Sequence, residues 1–285
     1  MVSFENFFLQ KDFYFLSHFH QDHLKGLQKK FNQGKILCSL ITARYLRYFY
    51  QIEESFLIAL DYFTPFDLNQ GWQATLYPAN HSFDASMMVL SHFDKNLHFL
   101  YTGDFRYEEE VFKDFPFHLT FQKAFVDTTY LDFNYDFLTK QEAILQIQNK
   151  IESQTWQEVL IGTYYTGKEA IFTTLSKNLS VLFCTSKKKL TYYKLAQIDS
   201  FFTTHKTGYF CYNMHDLFLI SPQKTQNSLV VFPTGWAAGS FKKSKHINTF
   251  NIPYSEHCSQ KELLTFLSKL LCHEFYTLDG YFLKF

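Results

Sequence analysis

The heptapeptide SHFHQDH at residues 17–23 carries three histidines and an aspartate. It follows residues 12–16, a continuous aromatic and apolar run that predicts a short buried strand. In extended chain, His18 and His20 leave on the same face, while Asp22 suits a helix start because its carboxylate can accept the first N–H groups of a helix. We therefore expect the metal-binding side chains of this segment to converge.

The donor set of this segment is imidazole and carboxylate without thiolate. Such donors suit zinc or manganese and argue against a cysteine-based structural zinc site. The five cysteines are scattered without CxxC pairing, which is typical of reduced thiols in a cytosolic or nuclear protein. The alternative, a surface loop that happens to hold three histidines, is disfavoured because the strand-then-helix context is also present.

The length of 285 residues suits one large domain or one domain that carries an inserted second. No stretch approaches the roughly 18 consecutive apolar residues that a spanning helix needs, so we expect no membrane association. Lys and Arg equal Asp and Glu at 27 each, so the overall charge lacks the basic excess typical of nucleic-acid binders. Local phosphate contacts could come from Lys187–Lys189 or from Lys242, Lys243 and Lys245, although such clusters are more often solvated loops.

Two further candidate ligands follow predicted strands. Residues 73–77 alternate in polarity and lead to His81, and residues 97–101 lead to Gly103 and Asp104. The glycine lets the backbone approach closely, which would allow the Asp104 carboxylate to sit between two ions. Taken alone, His81 would more often be structural and Asp104 would equally suit a turn.

The octet GTYYTGKE at residues 162–169 is a near match to a phosphate-binding loop. Glu169 replaces the Ser or Thr whose hydroxyl would hold magnesium, which disfavours a nucleotide hydrolase. A phosphate contact by Lys168 or by the following helix N-terminus remains physically reasonable. Nearby patterns predict helices at residues 141–151 and 262–271, and strands at residues 158–161, 181–184, 217–220 and 228–232.

The motif HxHxDH after a strand resembles the metallo-β-lactamase superfamily. The version found here, YFLSHFHQDHLKGL, is similar to the β-CASP nucleases of the Artemis, Apollo and Pso2-type cross-link repair group. Further matching motifs occur in order: ANH at 79–81, TGDFR at 102–106, DTTY at 127–130, GTYYTGKE at 162–169, PTGW at 233–236 and PYSEHCS at 253–259. Ser82-Phe83-Asp84 departs from the family, which has Cys-Pro-Gly after the motif histidine, and Glu5 stands where the family has an aspartate.

The resemblance implies an α/β fold, a metallo-β-lactamase αββα sandwich with an inserted β-CASP domain. The sandwich would comprise residues 1–135 and 247–285, and the β-CASP domain residues 136–246.

The resemblance also implies the roles of individual residues. Metal ligands would be His18, His20, Asp22, His23, His81 and Asp104. Catalytic residues would be Asp22, Asp104, Asp127 and His257, and substrate-binding residues Thr163, Tyr164, Lys168 and Ser255. The cofactor would be one or two Zn²⁺ ions, with Mn²⁺ or Mg²⁺ as alternatives at the second position. Two such ions, about 3.5–4 Å apart, activate water and stabilise the leaving oxygen.

The implied function is metal-dependent hydrolysis of DNA in the nucleus, chiefly as a 5′-to-3′ exonuclease that processes single-stranded or duplex ends. The sequence identifies no protein partner. Alternatives are a catalytically inactive relative that serves as an interaction module, an RNA-processing β-CASP nuclease, and a small-molecule hydrolase of the same superfamily. A P-loop nucleotide binder would rest on the octet alone.

Overall fold

The structure, a computed structural model, describes residues 2–239 and 245–284. The chain divides into a first unit, Met1–Asn134 with His257–Phe285, and a second unit, Tyr135–Glu256. Lys242 and Lys243 of the second lysine cluster lie outside the described residues. Among the described residues, no helix combines the length and apolar character needed to cross a membrane.

The first unit contains strands before and after the second unit. Its strands are β1 (Val2–Phe4), β2 (Phe13–Phe15), β3 (Lys35–Ser39), β4 (Leu57–Leu60), β5 (Phe66–Asp67), β6 (Trp72–Pro78), β7 (Ser86–His92), β8 (Leu97–Tyr101), β9 (Thr120–Val126), β16 (Leu271–Thr277) and β17 (Phe282–Leu283). Its α-helices are α1 (Leu40–Tyr45) and α6 (Gln260–Lys269).

Two sheets form the first unit, and they pack face to face. One is parallel with the order β1-β2-β3-β4, and the other is mixed with the order β17-β16-β9-β8-β7-β6-β5. Phe15 and Leu37 from the four-stranded sheet share a buried cluster with Leu76, Met88 and Tyr101 from the seven-stranded sheet. Burial of this apolar surface is the main stabilisation of the sandwich.

Helix α6 covers the outer face of the seven-stranded sheet. Successive residues of a strand face opposite sides, so Met87 points into this outer cluster while Met88 points between the sheets. Leu263 and Phe266 of α6 supply the other side of the outer cluster. The helix begins at a capping box in which Ser259 and Glu262 satisfy each other's backbone N–H groups.

The second unit is a parallel sheet with helices in its connections. Its strand order is β12-β11-β13-β10-β14-β15, and its described pairs are parallel. The strands are β10 (Glu158–Thr163), β11 (Phe183–Cys184), β12 (Phe202–Thr203), β13 (Tyr209–Asn213), β14 (Ser228–Pro233) and β15 (Thr249–Ile252). The helices are α2 (Lys140–Glu152), α3 (Glu169–Leu179), α4 (Lys187–Leu195) and α5 (Met214–Leu219).

Most sequence-predicted elements agree with this structure, with two differences. The strand predicted at residues 217–220 is wrong, because α5 runs from Met214 to Leu219 and begins at an Asn213 cap. The helix start expected at Asp22 is a single 3₁₀ turn, Gln21–His23. The domain boundaries inferred from the resemblance remain a prediction.

Candidate metal centre

The predicted ligands of the first unit lie where strands end. The loop containing residues 17–23 follows β2, and His81, Asp104 and Asp127 follow β6, β8 and β9. Strands β6, β8 and β9 run in one direction, because β7 is antiparallel to β6 and β8 while β9 is parallel to β8. Their carboxyl ends therefore meet at one edge of the sheet, which brings together residues far apart in sequence.

The ligand atoms of His18, His20, His81 and Asp104 lie within 4.8 Å of one another. His20 Nδ1 is 2.8 Å from His18 Nε2 and 3.3 Å from His81 Nε2. Asp104 Oδ2 is 3.6 Å from His18 Nε2 and 3.8 Å from His81 Nε2. Ligands held about 2.0–2.1 Å from a tetrahedral zinc are separated by about 3.3 Å. The four groups fit a tetrahedral ion.

A second group consists of Asp22, His23 and Asp104. His23 Nε2 lies 3.3 Å from Asp104 Oδ1 and 3.6 Å from Asp22 Oδ2. The Asp22 side chain is 73% exposed, whereas His23 is buried. The two oxygens of Asp104 thus face different groups, Oδ2 toward the first and Oδ1 toward the second. This arrangement suits a carboxylate that bridges two ions.

Glu5 supports the metal loop, residues 17–23, through hydrogen bonds to both of its ends. Its Oε1 accepts the backbone N–H and the hydroxyl of Ser17, and its Oε2 accepts from His23 Nδ1 at 2.6 Å and from the Tyr101 hydroxyl at 2.7 Å. A proton on His23 Nδ1 leaves Nε2 available toward Asp104, so Glu5 fixes the tautomer of a candidate ligand. Glu5 therefore replaces the family's aspartate with a buried and fully engaged carboxylate.

The surroundings of His18 and His23 shift the pKa values of the two imidazoles in opposite directions. Burial, reinforced by His20 and the other imidazoles, lowers the pKa of His18 well below its usual value. Burial also opposes charge on His23, but the carboxylates of Glu5 and Asp104 raise the pKa of His23 to about 11. His18 is therefore neutral, the form that binds a metal, while a metal at His23 must displace a proton.

Asp84 links the His81 loop to the metal loop. It is 1% exposed, and its Oδ2 accepts the Phe19 backbone N–H at 2.7 Å and the Thr42 hydroxyl at 3.1 Å. Its Oδ1 accepts the Ser82 hydroxyl at 2.6 Å. Sequence reasoning treated Ser82-Phe83-Asp84 only as the loss of Cys-Pro-Gly. The signal it missed was an acidic residue inside an otherwise apolar and small segment, which needs buried donors.

Gly103 permits the close approach of the Asp104 loop to the metal loop. Its φ is +52°, and a Cβ there would lie 2.4 Å from Ser17 Cβ. Both observations require glycine, because other residues strain at positive φ and a contact this short is a clash. The glycine of TGDFR thereby places Asp104 against the histidines.

His257 and Asp127 form a third group with Asp104. His257 Nδ1 is 2.7 Å from Asp127 Oδ2, while its Nε2 lies 3.9 Å from Asp104 Oδ2. Asp127 Oδ1 accepts from the Thr129 N–H and hydroxyl. Burial opposes ionisation of Asp127, but His257 and the Thr129 bonds lower its pKa. Ionised Asp127 therefore orients His257.

A cavity of about 570 Å³ opens beside these groups. Asp22, His23, Asp104 and Asp127 line one part of it, and Leu278 lines another. Volumes of this size accommodate small molecules or one part of a larger substrate. The cavity gives the candidate metal centre access to solvent.

The predicted substrate-binding residues belong to the second unit. Lys168 is buried, and its Nζ lies 5.3 Å from the Tyr164 ring centroid and 5.4 Å from that of Tyr254. Burial lowers the pKa of Lys168, with Glu256 opposing that shift. Thr163 is fully buried and donates its hydroxyl to the Gly167 carbonyl.

Two backbone amides of the octet already have carboxylate acceptors. Gly167 N–H donates to Glu169 Oε1 and Lys168 N–H donates to Glu256 Oε1, both at 2.6 Å. Ser255 is also buried, whereas Tyr164 is 49% exposed. Within the octet, these carboxylates occupy backbone donors that a phosphate would otherwise use. The side chains of Tyr164 and Tyr165 are its exposed ones.

The chain is similar in sequence to several known proteins. A family model described as DNA repair metallo-beta-lactamase matches residues 184–276. The DNA cross-link repair protein SNM1 of Arabidopsis thaliana is 27% identical, with 90% of this chain and 58% of that protein covered. The 5′ exonuclease Apollo of Danio rerio is 28% identical, with coverage of 90% and 46%. The human DNA cross-link repair 1A protein is 30% identical, with coverage of 90% and 27%.

The chain therefore spans between 27% and 58% of the lengths of these three relatives. Among solved structures, a protein of unknown function from Enterococcus faecalis V583 has a TM-score of 0.67 and 12% sequence identity. That match covers 94% of this chain and 76% of the other, and it supports the fold alone. The fold and the predicted resemblance are confirmed, and the family implies metal ions as cofactors. The chain is similar in sequence to the DNA cross-link repair proteins of the β-CASP group, and it has the metallo-β-lactamase fold with an inserted β-CASP domain.

Proposed function

We propose that the protein is a metal-dependent nuclease that hydrolyses phosphodiester bonds in DNA. The observation that carries the proposal is the position of Asp104, whose two oxygens face two separate groups of metal-capable side chains. Phosphodiester hydrolysis is a common use of paired ions, because one site must serve both the attacking and the leaving oxygen. The names of the relatives, which include DNA cross-link repair proteins and a 5′ exonuclease, support DNA as the substrate.

In this proposal, His18, His20, His81 and Asp104 hold Zn²⁺. Asp22, His23 and Asp104 hold a second ion, which is Zn²⁺, Mn²⁺ or Mg²⁺. The bound ions supply Lewis acidity, which activates water at neutral pH and stabilises the leaving oxygen. The second group has three ligands, whereas the first has four, and one of the three is the exposed Asp22. The second group therefore suits the ion that exchanges more easily.

The protein's own residues supply orientation and proton handling. Glu5 and Asp127 hold the Nδ1 atoms of His23 and His257, which directs the Nε2 atoms toward Asp104. His257 is 24% exposed at its side chain, so its Nε2 can donate a hydrogen bond or a proton to an oxygen of the reacting phosphate. Asp127 acts through His257, as its own oxygens are engaged by His257 and Thr129.

We further propose that the substrate is a single-stranded or duplex DNA end, degraded from 5′ to 3′, and that the protein acts in the nucleus. The second unit is assigned as the β-CASP domain. There, Tyr164 and the Lys168 ammonium are the proposed phosphate contacts, while Thr163 and Ser255 shape the loops that hold them. The catalytically inactive alternative is disfavoured, because Asp84 anchors the altered loop and His81 remains beside His18 and His20.

The experiment is digestion of labelled 5′-phosphorylated and 5′-hydroxyl single strands by purified protein supplied with zinc or manganese. Products that shorten from the 5′ end, with loss of activity on chelation and recovery on metal addition, are expected. Metal content is measured on the same samples. A protein that binds metal but leaves both strands intact would contradict the nuclease and favour an interaction module.

A further inference from the structure

Phe8 is an exposed aromatic side chain at the cavity of the candidate metal centre. With 77% exposure it is the most exposed of the large apolar side chains described. It lines the same cavity as Asp22, His23 and Asp104. An exposed aromatic ring loses the stabilisation that burial would give it. Contacts that hold such a ring at a cavity therefore indicate a binding role.

The backbone around Phe8 is fixed by its neighbours. Phe7 is buried and stacks on Tyr14 with ring centroids 5.2 Å apart. The Phe7 N–H donates to the Lys25 carbonyl at 3.2 Å, and the Asn6 side chain accepts the Phe8 N–H at 3.2 Å. The buried Phe7 therefore holds the turn against the protein core, and Phe8 points into solvent.

The Phe8 ring itself rests on Gly26. A Cβ at Gly26 would lie 2.9 Å from Phe8 Cγ, and Gly26 has a φ of +83°. The glycine therefore leaves the base of the Phe8 side chain the space that another side chain at position 26 would occupy. Phe8 contacts the backbone there, and most of its side chain is open to solvent.

A cation lies at the same cavity. Lys25 lines it, and its side chain is 65% exposed. The Lys25 ammonium is 3.7 Å from the Asp279 carboxylate, an exposed pair that solvent screens and that exchanges partners at little cost. An exposed aromatic ring and an accessible ammonium at one cavity are the combination that binds one unpaired nucleotide, by stacking on the base and pairing with its phosphate.

We propose that Phe8 is the stacking platform for one base of the nucleic-acid strand held at the metal centre, and that Lys25 contacts a neighbouring phosphate. The inference rests on the proposed function and deepens it by naming a substrate subsite. Every base has a π-face, so the subsite accepts all four bases. The segment that builds it, residues 6–8 and 25–26, is separate from the candidate ligands.

The test compares wild-type protein, Phe8→Ala, Phe8→Trp and the control Phe93→Ala. Phe93 is 59% exposed in the same unit and does not line the cavity. Zinc-loaded proteins are titrated with 5′-phosphorylated single strands that carry phosphorothioate linkages to slow cleavage. A parallel set of strands carries one abasic nucleotide at each of the first positions in turn. Cleavage of ordinary strands and thermal unfolding are measured alongside.

We expect Phe8→Ala to weaken binding about tenfold, with Phe8→Trp and Phe93→Ala near wild type. At one position, an abasic nucleotide should weaken wild-type binding by a similar factor but change Phe8→Ala binding less than about twofold. If wild type cleaves DNA while Phe8→Ala binds as Phe93→Ala does, or keeps the full abasic penalty, the subsite is overturned and the nuclease stands. If wild type neither binds nor cleaves any strand, the proposed function fails, and the subsite fails with it.

Discussion

The Asp84 carboxylate accepts the backbone N–H of Phe19 at 2.7 Å across 65 residues of sequence. Phe19 lies between the candidate ligands His18 and His20, so this bond fixes the segment that presents both imidazoles. Asp84 also receives the Ser82 hydroxyl, one residue after His81. A single buried carboxylate thereby sets the spacing between two loops that carry three of the four proposed zinc ligands.

Asp84→Ala should loosen the metal loop. The Phe19 N–H would lose its buried acceptor, which costs about 1–3 kcal/mol of unfolding free energy. Zinc affinity, measured by chelator competition, should fall about 10–100-fold, as is typical when a residue that supports ligands is lost. Asp84→Asn retains an acceptor for Phe19 and should recover much of both quantities. The exposed Asp94→Ala serves as the control. Wild-type zinc affinity in Asp84→Ala would contradict this role.

Asp104→Ala should abolish hydrolysis and remove both metals, because its two oxygens face both groups. Asp22→Ala should also abolish hydrolysis but spare the ion at His18, His20 and His81. Metal content per chain distinguishes the two variants, and circular dichroism reports whether the fold is retained. Cleavage near the wild-type rate by Asp104→Ala would end the two-ion hypothesis.

Lys168→Ala should weaken DNA binding and lower the slope of log affinity against log salt by about one charge. The octet's amides at Gly167 and Lys168 already donate to carboxylates, so the charged phosphate contact in this loop would come from the Lys168 ammonium. Lys177→Ala, at an exposed lysine of α3, is the matched control. An unchanged salt slope combined with reduced thermal stability would assign Lys168 to the scaffold.

The sequence predicted the elements whose signals are local. The histidine motif, TGDFR and the strand at residues 97–101 could be read directly, because a short motif carries its own chemistry and strand alternation has a fixed period. Residues 217–220 were misassigned since a short apolar run does not distinguish a buried strand from a helix. The Asn213 cap, whose side chain accepts from His215 N–H, was the overlooked helix signal.

The supporting bonds of the site could not be predicted, because they join residues that are distant in sequence. Glu5 reaches Tyr101 across 96 residues, and Arg106 pairs with Glu262 across 156. Spacing along the chain contains no information about such contacts. The structure was needed to show that Glu5 and Asp84 are buried carboxylates committed to the metal loop.

The final prediction is a preference for DNA over RNA, carried by Leu278. In the family that this chain resembles, the last motif has a histidine in RNA-cleaving members and an aliphatic residue in DNA-cleaving ones. Matching the chain to the family from His257 through the helix predicted at residues 262–271 places Leu278 at that position. Leu278 lines the same cavity as Asp22 and Asp104, whereas His273, the alternative occupant, is exposed on β16 and does not line it.

An aliphatic side chain at the cavity offers no polar partner for a 2′-hydroxyl, the group that distinguishes RNA from DNA. We therefore expect matched single strands of one sequence to be cleaved about 5–150-fold faster as DNA, since one missing hydrogen-bond partner costs about 1–3 kcal/mol when buried. Leu278→His should narrow that ratio, and His273→Ala should leave it unchanged. Faster cleavage of RNA would refute the assignment of Leu278, and loss of that RNA cleavage in His273→Ala would move the deciding position to His273.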